Sequence, residues 1–408
     1  MQHLKILFSS CLILLTCGHQ GTYSGTLPKG QVLSGIDVLV KNNFNILAGK
    51  RVGLITNHTG RSRDGKSDID ILAEAPNVNL VKLFCPEHGI RGTDDEKVDD
   101  GIDSATNLPI ISLYGKNREP TGEMVDDIDV LVFDIQDIGC RFYTYISTMA
   151  HAMRAARKFD KEMVVLDRPN PIGGVKVEGT IPPDSLTGKF TAIFPIPTQH
   201  AMTVGELANM FNDAFGIGCK LTVVPLENWT RSMYWDDTGL AWRNPSPNMK
   251  TLTGAILYTG LGILETTNLS MGRGTDIPFE IYGAPWLDGE ALAAKMNAYG
   301  LAGIRFVPWE FVPTANWHKY RGEKCRGVKV TIYDRAALDA YLAALYMLKT
   351  IWEQHPDQYQ FLGGFQVQMG CAQTEGWIKA GLSPEEIKSR KLPEFKKFMK
   401  IRATYLLY

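Results

Sequence analysis

The chain has 408 residues, 44% of them apolar and 21% charged, with a formal net charge of −1 at neutral pH. That length suits two or three domains of about 100–200 residues each. The balanced charge speaks against a polyanion-binding surface, so no nucleic-acid partner is expected.

The N-terminus reads as an address rather than as fold. Lys5 precedes ILFSSCLILLTC, an apolar run too short to span a bilayer comfortably, so residues 1–17 are expected to be an export signal. The run ends at Cys17 after Leu14-Leu15-Thr16, which resembles a bacterial lipobox, although Thr16 stands where a smaller residue is usual. A lipid-anchored, exported, periplasmic or cell-envelope lipoprotein is the expectation, with plain secretion as the alternative. Membrane contact would then run only through the anchor on Cys17. Residues 18–30 read as a flexible tether.

From 51 to 171 the pattern alternates. RVGLITN (51–57) is a short apolar run with a polar end. Residues 67–75 have helical spacing, with Ser67 as N-cap. NLVKLFCPEHG, LPIISLYG (108–115) and DVLVFDIQD (129–137) follow as strands, then a long amphipathic helix over 143–159 and a strand over 162–171. Nearly continuous apolar strands alternating with helices predict a parallel sheet covered on both faces. The arrangement is Rossmann-like, but no GxGxxG follows the first strand, so no dinucleotide or other cofactor is expected. Loop-rich residues 172–200 suggest a domain boundary. The expected division is a Rossmann-like domain over 31–200 and a smaller α/β domain over 201–408, with a cleft between them. In the second part, 203–216 is a helix opened by the Thr203/Glu206 capping box, 219–226 is a strand, and 335–354 and 383–407 are helical, the latter broken at Pro393.

In open parallel sheets, ligands sit beyond the carboxyl ends of the strands. The first strand delivers Asn57 and His58 there, and the second Glu87 and His88. The fourth delivers Asp134, Gln136 and Asp137, with Arg141, Tyr143 and Tyr145 close behind, and the fifth delivers Asp167, Arg168 and Asn170. One polar strand end is ordinary. Four on one edge suit a polyhydroxylated ligand, since carboxylates and amides bond hydroxyls and aromatic rings pack on sugar faces. Residues 260–286 add Glu265, Asn268 and Arg273, the last between two glycines. His58, His88, His200 and Asp134 lack HxH or HExxH spacing, so no metal is expected. Cys85, Cys140, Cys219, Cys325 and Cys371 form no CxxC pair and read as small buried hydrophobes; a Cys85–His88 nucleophile was the weaker reading.

GLITNHTG, PEHGIRG, FDIQDIGCRFYTYISTM, LDRPNPIGG and ETTNLSMGRGTDIPFE occur in this order. Together they resemble the exo-β-N-acetylmuramidases, peptidoglycan glycoside hydrolases that were formerly a domain of unknown function. The resemblance covers nearly the whole chain after the tether. It implies a Rossmann-like domain and a smaller C-terminal domain. It also implies release of N-acetylmuramic acid from the non-reducing ends of peptidoglycan fragments, muropeptides or disaccharides, with the PEHG glutamate, Glu87, as catalytic residue. A non-catalytic muropeptide-binding lipoprotein of the same fold is the alternative, and a metal-dependent hydrolase a third reading.

Glycoside hydrolysis needs a proton donor for the leaving oxygen, and desolvation at the end of an apolar strand favours a protonated carboxyl. Glu87 suits that role better than Asp94, Asp95, Glu96, Asp99 and Asp100, which read as a solvated loop. Asp134 or Asp137 is the expected second group, unless the substrate's 2-acetamido group attacks. N-acetylmuramic acid carries a lactyl carboxylate, for which Arg141 and Arg273 are the expected grips.

Overall fold

The computed structural model describes residues 30–87, 90, 100–115, 117–316 and 318–408. The signal, Cys17 and the tether up to residue 29 lie outside the described residues, as does His88.

The first layer is a seven-stranded sheet. Its strands are β1 (Arg51–Thr56), β2 (Asn79–Cys85), β3 (Gly101–Ile102), β4 (Pro109–Ser112), β5 (Val130–Asp134), β6 (Glu162–Leu166) and β7 (Lys220–Val224). They lie in the order β3-β4-β2-β1-β5-β6-β7, parallel throughout except for the short edge strand β3. β5 is buried along its whole length, which is why its sequence runs apolar without alternation. The helix Tyr145–Lys158 turns Ile146, Met149, Ala150 and Met153 into the core on one side of the sheet. This i, i+3, i+4, i+7 spacing makes the apolar stripe of an amphipathic helix. Arg157 and Lys158 in its last turn complement the negative end of the helix dipole. The opposite face of the sheet is covered by Gly35–Lys41 and Asp68–Glu74, through Ile36, Leu39, Ile69 and Leu72.

The sheet runs on past the boundary expected at residue 200. The helix Val204–Asn212 packs Leu207, Met210 and Phe211 into the same core, and β7 pairs with β6. The Thr203/Glu206 capping box forms as expected. The second unit centres on a three-stranded antiparallel sheet of β8 (Ile281–Ala284), β9 (Ile304–Phe311) and β10 (Cys325–Ile332), in the order β8-β10-β9. The helices Leu252–Leu261, Gly289–Ala298 and Ala340–Gln354 share its core. The first of these backs so closely on the third that a methyl group at Gly260 would overlap the Ala340 carbonyl. Pro393 opens the helix Leu392–Ala403 in its first turn. That helix returns to the first unit, where Phe398 joins the core and the Tyr408 hydroxyl donates to Asp167 at 2.7 Å. The five described cysteines are buried and unbridged. Among the described residues no helix is long and apolar enough to cross a membrane.

Candidate active site

A cleft of about 790 Å³ opens between the two units. The first unit contributes Glu87 just beyond β2, Tyr114 just beyond β4, and Phe142 to Tyr145 at the entry to the long helix. The second contributes Tyr258, Glu265, Arg273, Phe279, Lys319 and Gln368.

Glu87 reaches the cleft because β2 ends at Cys85 and Pro86 cannot continue the ladder. Its Oε2 accepts a hydrogen bond from Thr144 Oγ1 at 3.2 Å. Tyr114 stands in hydrogen-bonding contact on another side; burial, and then the Glu87 charge, push its hydroxyl up to about 12. Tyr145 is raised as well, by burial first and by Glu87 second, and donates to the Pro245 carbonyl at 2.6 Å. The tyrosines therefore stay protonated at neutral pH and act here as hydrogen-bond donors or apolar walls. The Tyr143 hydroxyl is buried in the cleft wall, in hydrogen-bonding contact with Ser246 and Tyr145.

Across the cleft, Glu265 Oε1 accepts from Arg273 Nε at 2.7 Å and Oε2 from the Tyr258 hydroxyl at 3.1 Å. Arg273 also lies over the Phe279 ring, 4.8 Å from its centroid. Lys319 fixes this corner: its Nζ donates to the carbonyls of Glu265 (2.7 Å), Thr267 and Leu269 (3.3 Å). Burial lowers its pKa to about 8, against the attraction of Glu265.

The structure thus brings Glu87, Tyr143, Glu265 and Arg273 together in one cleft. It separates the other expected residues from it. Asp134 is fully buried, with Oδ1 accepting from Arg168 Nε at 2.5 Å and Oδ2 from Nη2 at 2.7 Å. Asp68 lies in hydrogen-bonding contact with it, and burial and the Asp134 charge push Asp68 well above the usual carboxylate range. Asp134 is therefore the partner of a buried ion pair and does not line the cleft. Arg141 is also fully buried; its guanidinium donates to the carbonyls of Val367 (3.0 Å) and Gln368 (2.7 Å), tying the two units together instead of facing a ligand.

Asp137 accepts from Gly139 N–H at 2.6 Å and lies 3.7 Å from the buried His200. Asp167 is buried under Thr203, Gly205 and Tyr408. Asn57 folds back on Thr59, beside the Tyr145 ring hydroxyl, and Asn268 clamps the backbone at Gln358 and Gln360. Gln136 spans the carbonyls of Asp137 and Pro169. His58 bonds the Asn244 carbonyl, apart from His200.

Sequence reasoning missed Tyr114, Thr144, Tyr258 and Lys319 as wall residues. Two of them, Tyr114 and Thr144, lie beside a strand end or in a motif string, but none of the four carries a charge at the end of an apolar run. Lys319 gave no signal at all, because its partners are three backbone carbonyls some 50 to 54 residues away.

Residues 52–253 match the family described as exo-beta-N-acetylmuramidase NamZ, N-terminal, and residues 256–408 match its C-terminal counterpart. The chain is 43% identical over 391 residues to a peptidoglycan beta-N-acetylmuramidase NamZ of Bacillus subtilis (strain 168), covering 94% of this chain and 93% of that one. Two crystal structures of DUF1343 family proteins from Bacteroides fragilis NCTC 9343 share the fold. One has a TM-score of 0.87 at 40% identity, covering 93% of this chain and 100% of that one; the other has 0.76 at 31%, covering 92% and 99%. The join between the two family matches, at 253 to 256, falls after β7, where the chain leaves the first sheet. With both halves matched end to end and the same two-unit fold in its relatives, the chain belongs to the exo-β-N-acetylmuramidase NamZ family.

Proposed function

We propose that this protein is an exo-acting β-N-acetylmuramidase that releases N-acetylmuramic acid from the non-reducing ends of peptidoglycan fragments. The observation that carries the reading is the placement of Glu87 in the inter-unit cleft, held by Thr144 and contacted by Tyr114. Glu87 is the proton donor to the leaving glycosidic oxygen. Glu265 is the second carboxylate in the cleft wall and takes the place expected for Asp134 or Asp137. It faces the positive charge that develops on the sugar, either as base or nucleophile or by orienting the substrate's acetamido group. Arg273 and Lys319 give that wall the cations that favour a lactyl carboxylate. Tyr143, in the cleft wall, is a packing and hydrogen-bonding partner for the sugar.

The test compares a chromogenic β-N-acetylmuramide with a muramyl disaccharide, each with and without chelator. Release that persists in chelator supports the reading. Tight binding without release would turn the protein into a muropeptide-binding member of the fold, and release abolished by chelator would point to metal-dependent hydrolysis. In Glu87→Gln, the disaccharide rate should fall by about 10²–10⁴-fold and the rate on a good aryl leaving group by less. Near-normal turnover of the disaccharide would remove Glu87 as the acid. We further propose export and lipidation at Cys17, which mass spectrometry of the mature N-terminus checks.

A further inference from the structure

A second, smaller cavity of about 40 Å³ shares no lining residue with the cleft. Its position is informative. In the order β2-β1-β5, the chain builds leftward from β1 to β2 and then restarts on the other side with β5. The crevice beyond the carboxyl ends of β1 and β5 is therefore the topological switch point, where open parallel sheets bind ligands. Glu87 and Tyr114, beyond β2 and β4, leave it unused. Thr59 follows β1, Gln136 follows β5 and Arg168 follows β6, and all three line this second cavity.

Arg61, Arg63 and Arg243 complete its charge. The Arg168 charge is matched by Asp134, but none of these three pairs with a carboxylate among the described residues. Arg61 spends Nε and Nη1 on the carbonyls of His58 and Gly65, and Arg63 spends Nη1 on those of Val32 and Thr238. Among the described residues, no acceptor is paired with Arg61 Nη2, Arg63 Nε and Nη2, or the Arg243 guanidinium. Trp235 and Trp242 also line it, and both indole N–H groups are buried without an acceptor among the described residues. This is a surplus of donors around a space that holds roughly three waters, at about 10–15 Å³ each. A single tetrahedral oxyanion displaces about that much.

One group breaks the pattern. Gln136 is 4% exposed, and its Nε2 is committed to two carbonyls, which fixes the amide orientation. Its Oε1 is buried with no donor among the described residues. A ligand that satisfies the arginines and this acceptor together must accept several hydrogen bonds and donate one. Sulfate and carboxylates have no proton to donate at neutral pH; hydrogen phosphate does. We propose that the switch-point cavity is a binding site for hydrogen phosphate, separate from the glycosidase cleft, with Gln136 reading its proton.

Calorimetric titration of the purified protein with sodium phosphate and with sodium sulfate, at pH 7 and matched ionic strength, tests this. Phosphate should saturate one site and bind at least about tenfold tighter than sulfate. Arg243→Ala, at an exposed position that should not disturb folding, should weaken phosphate by about tenfold or more, the scale of one charge-assisted hydrogen bond. Gln136→Leu should bring phosphate and sulfate together. Arg273→Ala, in the cleft, should leave phosphate binding unchanged. Absence of saturable phosphate binding overturns the proposal. So does sulfate bound as tightly by the wild type, a result that needs no variant to fold. A loss in Arg273→Ala with none in Arg243→Ala would put the anion in the cleft and overturn it equally.

Discussion

Arg168→Met separates a structural from a catalytic reading of the strand-end cluster on β5 and β6. Asp134 is fully buried and Arg168 is 4% exposed, and two hydrogen bonds of 2.5 and 2.7 Å join them. Methionine keeps much of the packing of the arginine stem and removes the charge. Asp134 is then left beside Asp68 with no cation, and an uncompensated buried charge costs about 3–5 kcal/mol. For a chain of this size, at roughly 2 °C per kcal/mol, the melting temperature should fall by roughly 6–10 °C. The loss should depend on pH, with a definite sign. Burial already raises Asp134 with Arg168 in place, and without that cation its folded pKa rises further above its unfolded value. Stability is then retained below the unfolded pKa and lost as pH rises toward the folded one, at about 1.4 kcal/mol per unit. As pH rises from 5 to 7 the variant should therefore lose more stability than the wild type. Urea denaturation at the two pH values measures this, and turnover of a chromogenic muramide well below the melting transition should stay within about twofold of wild type. A variant with wild-type stability and no activity would refute the reasoning and return this cluster to the chemistry.

Arg273→Ala should reduce discrimination between muramic and glucosaminyl substrates by roughly 10- to 100-fold, from the loss of about 1.5–3 kcal/mol of charge-assisted bonding; an unchanged ratio of kcat/KM values would take Arg273 out of substrate recognition. Asp167 is fully buried, and burial raises it to about 6 despite the donors around it. Its contribution to stability is complete below the unfolded pKa and is lost as pH rises through about 6, by on the order of 3 kcal/mol. Asp167→Asn should flatten that part of the stability profile, and a slope that persists in the variant belongs to another group. Gly260→Ala should destabilise by about 1–3 kcal/mol, because its methyl meets the Ala340 backbone and cannot be relieved by a rotamer. Unchanged melting would contradict the close approach of the two helices.

Most of the first sheet was legible in the sequence because a parallel strand covered on both faces must be apolar along its length. β1, β2, β5 and β6 each leave that mark, while β4 and β7, less buried, show it only in part. The helix Leu252–Leu261 did not show itself for the opposite reason: nearly all of it is buried, so its apolar residues have no period. β8 is four residues long and gave no pattern either. The extent of the first unit was misleading because its last strand follows a loop-rich crossover that looks like a linker. In the site, Glu87 was legible from its position at a strand end. Its neighbour Thr144 is 57 residues away in sequence, and nothing local announces the pairing.

The strand ends show why polarity at the carboxyl edge of a sheet does not by itself mean catalysis. Asp134, Asp137 and Asp167 follow apolar strands just as Glu87 does. They differ in what lies above them. Asp134 and Asp167 are fully buried, so other parts of the chain cover the ends of β5 and β6. A polar side chain there is roofed, and it must find partners inside the protein or cost several kcal/mol. Asp134 finds Arg168; Asp167 finds Thr203, Gly205 and Tyr408. Beyond the end of β2, the second unit stands across an open cleft from Glu87. The carboxylate there keeps one hydrogen bond from Thr144 and an open side toward the cleft. Chemistry is left to the strand end that the fold does not cover, and the same rule accounts for the cavity at the β1–β5 switch point, where Gln136 keeps an acceptor that no group among the described residues fills.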